Sequence, residues 1–275
     1  MIIFSSATIN IQITDKPYEF TRELSPSPAF CSFPDDELLW SSRKYFRDRK
    51  TCVYRWDDAY YPPFTYLDAN GTPVGFDVDS VQWIADTMNF KVQITPVPWD
   101  DILTALETGE IDLIYSGFAI TNERKEICDF TVPYWQVNQS VAVNYQSSVT
   151  IDDFYSGLLR VGAQNNTRGV SWVELNLIGK GKMAPASLVR YEGMNEAFDE
   201  LQAGRLDAVI GASSLIKANL DSCDCHVIGE IETDDHYGVA VKNGNSDLLE
   251  TMNTGIDLLM LSPEWERLKL RYLME

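Results

Sequence analysis

Residues 105–117 have the sequence Ala105-Leu-Glu-Thr-Gly-Glu-Ile-Asp-Leu-Ile-Tyr-Ser-Gly117, and a similar pattern returns as Glu200-Leu-Gln-Ala-Gly-Arg-Leu-Asp-Ala-Val-Ile-Gly-Ala212. Each stretch combines a helix end, a glycine that stops the helix, an aspartate and a short apolar run that closes on small residues. Such an apolar run is expected of a strand buried in a parallel sheet. The repetition therefore predicts two similar α/β lobes.

The residues before the first stretch alternate between strand and helix patterns. A turn signal at 68–71 predicts a hairpin. Regular spacing of apolar residues predicts the other elements: a strand at 52–56, a helix at 77–88, a strand at 90–94, a helix capped by Asp100 and stopped by Gly109, and a strand at 111–115. This alternation predicts right-handed βαβ units in a sheet covered by helices on both faces.

The composition excludes several classes of protein. The chain has 275 residues, 45% of them hydrophobic, a formal net charge of -19 and a pI of about 4.4. Such an acidic protein repels phosphate backbones, so we expect no nucleic-acid partner. No stretch approaches the ~18 uninterrupted apolar residues of a membrane span.

The first fifty residues differ from the rest of the chain. Residues 1–13 are apolar in patches but lack the basic segment and the small-residue cleavage site of a secretion signal. Residues 14–49 are rich in proline, serine and charged residues. We expect residues 1–50 to be a leader or linker ahead of the folded part.

The cysteines give no clear metal site. Cys223, Cys225 and His226 are close enough in sequence for one corner of such a site, but no second cluster completes four ligands. A surface turn with a local disulfide or with free thiols is the alternative. We expect neither a metal nor a cofactor.

Candidate ligand-binding residues follow the two repeated strands. In α/β sheets, ligands bind beyond the carboxyl ends of the strands, which predicts that Ser116-Gly117 and Gly211-Ala212 face each other across one cleft. Arg124 follows the first strand closely and can present its planar guanidinium to a carboxylate. A surface pairing of Arg124 with Glu123 or Glu126 is the alternative.

Aromatic and acidic residues near the first strand are further candidates. Tyr61 and Trp99, with their aromatic neighbours, can form an apolar sandwich around a ligand or can pack as core. Asp57 and Asp58 can receive an ammonium or can simply form a turn.

Four ordered motifs resemble the family 3 extracellular solute-binding proteins, the polar amino-acid receptors of ABC importers. They are Asp58-Ala-Tyr-Tyr-Pro-Pro-Phe64, Gly71-Thr-Pro-Val-Gly-Phe-Asp-Val-Asp79, Gly117-Phe-Ala-Ile-Thr-Asn-Glu-Arg124 and Asp129-Phe-Thr-Val-Pro-Tyr134. The resemblance extends from about Thr51 to the C-terminus.

The resemblance implies an α/β fold of the periplasmic-binding-protein type 2 class. Two lobes, each a mostly parallel sheet flanked by helices, are joined by two hinge strands. Lobe one is expected at 51–143 plus 238–275 and lobe two at 144–237, with the chain crossing near 143–146 and returning through 237–241. The family is periplasmic or extracellular, so we expect this location.

The resemblance also implies roles for individual residues. Arg124 is expected to bind the ligand carboxylate, Gly117 to contact the ammonium through its backbone, and Tyr61 and Trp99 to form aromatic walls. A loop at 164–169 is expected to cap the ligand, with Thr167 as its hydroxyl donor. The full predicted ligand-binding set is Asp58, Tyr61, Trp99, Ser116, Gly117, Ala119, Arg124, Gln164, Asn166, Thr167, Arg168 and Ala212.

Three positions depart from the family pattern. Ala119 stands where a serine or threonine is usual, Ala212 where an aspartate pairs with the α-ammonium, and Arg168 where a small residue is common. With Arg124 and Arg168 both in place, we expect a positive cleft that favours anions. The ligand is then either a carboxylate without an amine or an amino acid held by Asp57 or Asp58.

Three functions follow from these observations. The leading one is a monomeric, non-catalytic receptor that closes on a small amino acid or related carboxylate and delivers it to the membrane permease of an ABC importer. The second is a ligand-sensing input domain of a signalling receptor. The third is an enzyme similar to cyclohexadienyl dehydratases, which needs a general acid in the cleft, whereas Glu174 and Glu192 are predicted to be surface residues.

Overall fold

The computed structural model describes residues 52–56, 60–272 and 274. The predicted leader at 1–50 and the two candidate acids Asp57 and Asp58 lie outside the described residues. The strands are β1 (Cys52–Trp56), β2 (Tyr60–Tyr61), β3 (Thr65–Leu67), β4 (Pro73–Val74), β5 (Val92–Pro96), β6 (Leu113–Ile114), β7 (Cys128–Phe130), β8 (Trp135–Asn144), β9 (Val161–Gln164), β10 (Leu188–Tyr191), β11 (Ala208–Ala212), β12 (Cys225–Tyr237) and β13 (Ala240–Lys242).

Helices connect these strands. They are α1 (Phe76–Thr87), α2 (Ile102–Thr108), α3 (Asn122–Lys125), α4 (Ile151–Ser156), α5 (Arg168–Val173), α6 (Met194–Gln202), α7 (Ser213–Asn219), α8 (Ser246–Leu261) and α9 (Pro263–Arg271). Short 3₁₀ turns cover Trp99–Asp101, Pro185–Ser187 and Leu220–Ser222, and a π-helical turn covers Glu174–Ile178. In the part of the chain that the structure covers, no helix is both long and apolar enough to cross a bilayer.

Most of the strands form two five-stranded sheets with the same plan, and β2, β3 and β4 form a small antiparallel sheet. The first five-stranded sheet has the order β5-β1-β6-β13-β7 and the second the order β10-β9-β11-β8-β12. In each five-stranded sheet four strands run parallel and one, β13 or β8, runs against them. The predicted two-lobed α/β fold is therefore confirmed.

Each sheet buries apolar side chains on both faces. On β6, Leu113 and Ile114 belong to different buried clusters, and on β11 the neighbours Val209 and Ile210 do the same. Successive side chains of a strand point to opposite faces, so both layers of helices pack on these strands. The continuous apolar runs of the two repeated stretches have this cause.

Two long strands, β8 and β12, connect the lobes. They pair antiparallel from Trp135↔Tyr237 to Asn144↔Cys225. One end of the pair packs in the core of lobe one through Val137 and Tyr237, and the rest packs in lobe two through Val141 and Ile231. The pair therefore forms the physical link between the two cores.

The chain enters the second sheet earlier than the predicted crossing at 143–146. Gln139 already pairs with Ala212 of β11, and the turn at Asn144–Ser147 lies at the far end of β8, where Ser147 N–H donates to the Asn144 carbonyl at 2.9 Å. The strand is continuous through the link, so no turn marks the crossing in the sequence. The division into lobes at 51–143 plus 238–275 and 144–237 stays a prediction.

Most local predictions for the first lobe are confirmed. The strand at 52–56 is β1, and the predicted helix at 77–88 is α1, shifted by one residue. The 68–71 turn joins β3 to β4, with Asp68 Oδ1 accepting from the N–H groups of Asn70 and Thr72.

Three local predictions differ from the structure. The strand predicted at 90–94 is β5, shifted by two residues. The apolar run at 111–115 forms a strand only over β6. Asp100 does not cap helix α2, because Trp99–Asp101 already forms a helical turn and Asp101 precedes the helix.

Cys223 and Cys225 form a disulfide, so neither thiol is available to a metal.

Candidate ligand-binding cleft

A cleft lies between the two lobes. Its lining comes from both sheets and from both strand ends that the repeated stretches predicted to face each other. The lining residues are Tyr61, Trp99, Ser116, Gly117, Ala119, Arg124, Gln139, Gln164, Thr167, Arg168, Met194, Gly211, Ala212, Leu215 and Tyr237.

All predicted ligand-binding residues except Asp58 and Asn166 line this cleft. Asp58 lies outside the described residues. Asn166 lies beside the cleft and lines an adjoining cavity with Trp99 and Arg124. The roles that the resemblance assigns to these residues stay predictions.

Arg124 lies in the cleft and not on the surface beside Glu123 or Glu126. Its backbone N–H donates to the Thr121 hydroxyl at 3.2 Å, which fixes the start of α3. Its guanidinium donates from Nη1 to the Ala119 carbonyl at 2.9 Å and stacks 3.9 Å from the centre of the Phe118 ring. Burial lowers the pKa of Arg124 to about 10, so its charge persists at neutral pH.

Aromatic side chains wall the lobe-one side of the cleft. Tyr61 stacks on Phe64 with ring centres 5.5 Å apart, and its hydroxyl is hydrogen-bonded to that of Tyr237. Trp99 packs edge-on against Phe118 at 5.7 Å. These contacts hold both predicted walls in place.

The loop at 164–169 reaches across the cleft from lobe two to lobe one. Trp99 Nε1 donates to the Asn165 carbonyl at 3.0 Å, and Arg124 Nη2 donates to the Asn166 carbonyl at 3.0 Å. In return, Asn166 Nδ2 donates to Asp100 Oδ1 at 2.6 Å. These three hydrogen bonds join the lobes directly over the cleft.

Thr167, whose role as hydroxyl donor to the ligand stays a prediction, is held within the loop. Its Oγ1 donates to the Gln164 carbonyl at 2.7 Å, which uses the proton within the loop. The hydroxyl oxygen can still accept a hydrogen bond. Gln164 is also held, since its Nε2 donates to the Glu192 carbonyl at 3.0 Å.

The predicted excess of positive charge is smaller than expected. Arg168 Nε lies 2.7 Å from Asp235 Oδ1, and Asp235 is buried. This pair offsets the charge of Arg168, so Arg124 contributes the unbalanced charge among the described side chains that line the cleft.

Four lining residues were not predicted: Gln139, Met194, Leu215 and Tyr237. Gln139 and Tyr237 belong to the connecting strands, and Met194 and Leu215 to helices that follow β10 and β11. The strand-end rule that found Ala212 also covers Gly211. The four unpredicted residues depend on how distant parts of the chain pack together.

Two lobes that are linked by paired strands, and that bring an arginine, aromatic walls and a capping loop to one cleft, define a solute-binding clamp. The family model for bacterial extracellular solute-binding proteins, family 3, matches residues 57–275. The chain belongs to this family, which confirms the resemblance found in the sequence.

Individual relatives agree with this assignment. A probable histidine-binding protein of Neisseria gonorrhoeae is 30% identical over 225 residues, which cover 80% of this chain and 82% of the relative. An ancestral arginine-binding protein bound to arginine superimposes with a TM-score of 0.72 at 30% identity, covering 80% of this chain and 97% of that protein. An ancestral amino-acid-binding protein, a precursor of cyclohexadienyl dehydratase, gives a TM-score of 0.70 at 28% identity and covers 80% and 94%.

Proposed function

We propose that this protein is the substrate receptor of an amino-acid ABC importer, and that Arg124 binds the carboxylate of its ligand. The observation that carries this proposal is the position of the Arg124 guanidinium, which lies in the cleft and bridges from α3 to the lobe-two loop. Closure of the lobes and binding at Arg124 are therefore coupled.

Arg124 has donors to spare for a carboxylate. A guanidinium carries five N–H groups, and one from Nη1 and one from Nη2 donate to the carbonyls of Ala119 and Asn166. The two carbonyls hold the plane of the group, so less side-chain freedom is lost when a carboxylate binds.

The remaining lining supports a ligand with an uncharged side chain. The apolar side chains of the lobe-two wall are Met194, Leu215 and Ala212, with the amide of Gln139 nearby. The charged side chains among the described lining residues are both arginines, which repel a cationic side chain. We therefore infer a neutral amino acid or its carboxylate analogue, whereas two of the relatives described above are named for histidine and arginine.

We propose that the protein binds its ligand outside the cytoplasm and delivers it to a membrane permease. The family description supports this role. The precursor of a dehydratase among the structural relatives raises the enzymatic alternative. Of the two glutamates considered as general acids, Glu174 forms an ion pair with Arg190, and Glu192 is exposed. Neither lines the cleft.

Calorimetry with the full chain tests the proposal. The probes are neutral, acidic and basic amino acids together with their deaminated analogues. We expect a neutral amino acid to bind, and Arg124→Ala to weaken its binding by several kcal/mol, because a charged bidentate contact is lost. Arg190→Ala is the matched control, because it removes the same charge from an exposed pair.

Two results would count against the proposal. Binding of the same amino acid to Arg124→Ala with an unchanged dissociation constant would remove Arg124 from the site. Absence of binding across the whole panel would reject an amino acid or related carboxylate as the ligand.

A further inference from the structure

A buried carboxylate lies directly behind the cleft. Asp77, in the first turn of α1, has no exposed surface. Its Oδ2 accepts a hydrogen bond from the Gly117 N–H at 2.6 Å and another from the Tyr134 hydroxyl at 2.8 Å. Its Oδ1 is buried with no hydrogen-bond partner among the described residues. Burying a carboxylate with one oxygen left without a hydrogen bond destabilises the folded state. We therefore look for a function that Asp77 serves.

The hydrogen bond from the Gly117 N–H to Asp77 fixes the backbone of Gly117 at the surface of the cleft. Gly117 lines the cleft and has φ 53°, a left-handed conformation that glycine tolerates and other residues rarely adopt. Its amide N–H is used by Asp77, so the polar backbone group that Gly117 can offer to a ligand is its carbonyl oxygen. A carbonyl oxygen accepts a hydrogen bond from an ammonium, whereas a carboxylate finds no donor there.

The charge of Asp77 adds to this preference. The described charged side chains that line the cleft are arginines, and Ala212 stands where the family pattern has an aspartate. Asp77 places a carboxylate one peptide unit behind the cleft surface, in surroundings where burial weakens screening by water.

We propose that Asp77 is a specificity-determining positioning residue, which fixes Gly117 and supplies the negative charge that favours ligands with an ammonium group. This inference rests on the proposed function, since it concerns the amine of an amino-acid ligand. Asp77 does not touch the cleft itself and acts through the Gly117 peptide.

The surroundings of Asp77 make its charge sensitive to pH. Burial raises the pKa of Asp77 to about 7, while the hydrogen bonds from Gly117 and Tyr134 lower it. Among the described residues, the titratable groups that face it are the phenols of Tyr115, Tyr134 and Tyr237. Burial raises the pKa of Tyr115 and of Tyr237 further above the ordinary phenol value, so these two groups stay neutral as Asp77 titrates.

The test compares L-glutamine with glutaramate, its deaminated counterpart, by calorimetry on the full chain. Asp77→Asn keeps an oxygen that can accept from Gly117 but removes the charge. We expect it to weaken L-glutamine binding about tenfold more than glutaramate binding. Asp79→Asn is the control: it removes the same charge from the same helix, where Asp79 pairs with Arg271 and Tyr272, and it should leave the ratio unchanged.

A pH profile gives a second readout that a purely structural role would not produce. In the wild-type protein the preference for L-glutamine should decline as the pH falls through about 7. Tyr134→Phe removes a hydrogen bond to the ionised carboxylate and so raises the pKa of Asp77, which should move this decline to higher pH. The Tyr134→Phe variant also provides a test if Asp77→Asn does not fold.

The outcomes separate this inference from the proposed function. If the wild-type protein binds L-glutamine, but its preference over glutaramate is the same in Asp77→Asn or is insensitive to Tyr134→Phe, Asp77 has no role in specificity. If neither L-glutamine nor any other amino acid binds the wild-type protein, the proposed function fails and this inference fails with it.

Discussion

Arg168 and Asp235 form an ion pair, with Nε 2.7 Å from Oδ1, that joins helix α5 of the second lobe to the connecting strand β12. The carboxylate is buried and the guanidinium is partly exposed at the edge of the cleft. Asp235 thus offsets a positive charge that the sequence suggests is available to the ligand.

Releasing Arg168 should change which ligands are preferred. We expect Asp235→Asn to improve the affinity for L-glutamate relative to L-glutamine by roughly three- to tenfold, because an unpaired arginine at the cleft attracts a second carboxylate. Asp234→Asn serves as the control, because the neighbouring Asp234 side chain is 98% exposed. An unchanged ratio in a folded Asp235→Asn protein would show that Arg168 does not act on the ligand.

The sequence predicts the fold well because its signals are local. The alternating faces of Leu113 and Ile114 and the turn at 68–71 depend on neighbouring residues only. The Arg168–Asp235 pair depends on register instead. Strand β12 shifts its pairing with β8 between Ile231 and Asp235, so the regular pairing of the two strands does not give the position of Asp235. No pattern in the sequence reveals that shift.

The cleft residues divide along the same line. Gly117 and Ala212 follow buried strands directly, so the strand-end rule finds them. Gln139 and Tyr237 reach the cleft because β8 and β12 pair across the junction of the lobes. Their place depends on contacts between residues that are far apart in the chain.

Closure of the lobes should depend on the hydrogen bond that Trp99 Nε1 donates to the Asn165 carbonyl. Trp99→Phe removes the Nε1 donor and keeps an aromatic wall. We expect a loss of about 1 kcal/mol in ligand binding, the net value of one hydrogen bond. Calorimetry measures the affinity, and small-angle scattering should show that L-glutamine reduces the radius of gyration less in this variant than in the wild-type protein.

Trp83→Phe is the matched control for Trp99→Phe. Trp83 lies on α1 and packs against the core of lobe one, so the same substitution there should leave closure unchanged. An equal affinity of the Trp99→Phe and wild-type proteins would mean that the Trp99–Asn165 bond does not stabilise the closed form.

Gly117 should resist substitution for two separable reasons. An alanine at this position would be strained at positive φ, and its Cβ would collide with the Tyr61 ring. Gly71 has φ 77° with no atom near its Cβ position, so Gly71→Ala carries the strain alone. We expect Gly71→Ala to lower the free energy of unfolding by about 1 kcal/mol without changing ligand affinity.

Gly117→Ala should lower both the free energy of unfolding and the affinity, the latter by roughly tenfold or more, because Tyr61 must move. Urea titration and calorimetry on the two variants measure these quantities. If Gly117→Ala matched Gly71→Ala in both measurements, the contact between Gly117 and Tyr61 would have no part in binding.

Ala212 ends strand β11 and packs partly buried between the two lobes. A carboxylate introduced there by Ala212→Asp would meet a ligand ammonium directly, whereas Asp77 acts from behind Gly117. We therefore expect the wild-type protein to show only a moderate preference for L-glutamine over glutaramate. We expect Ala212→Asp to increase that preference by roughly tenfold or more, as measured in a competition series between the two compounds.

Ala212→Asn is the control for this prediction, since it adds the same volume at position 212 without charge and should lower the affinity for both compounds alike. A gain that requires the charge will appear in Ala212→Asp alone, and it should persist when Asp77→Asn is added, because the new carboxylate contacts the ammonium without the Gly117 peptide. If instead the wild-type protein already discriminates as strongly as Ala212→Asp, a direct counter-charge is present elsewhere in the cleft, and Asp57 and Asp58 become the groups to substitute next.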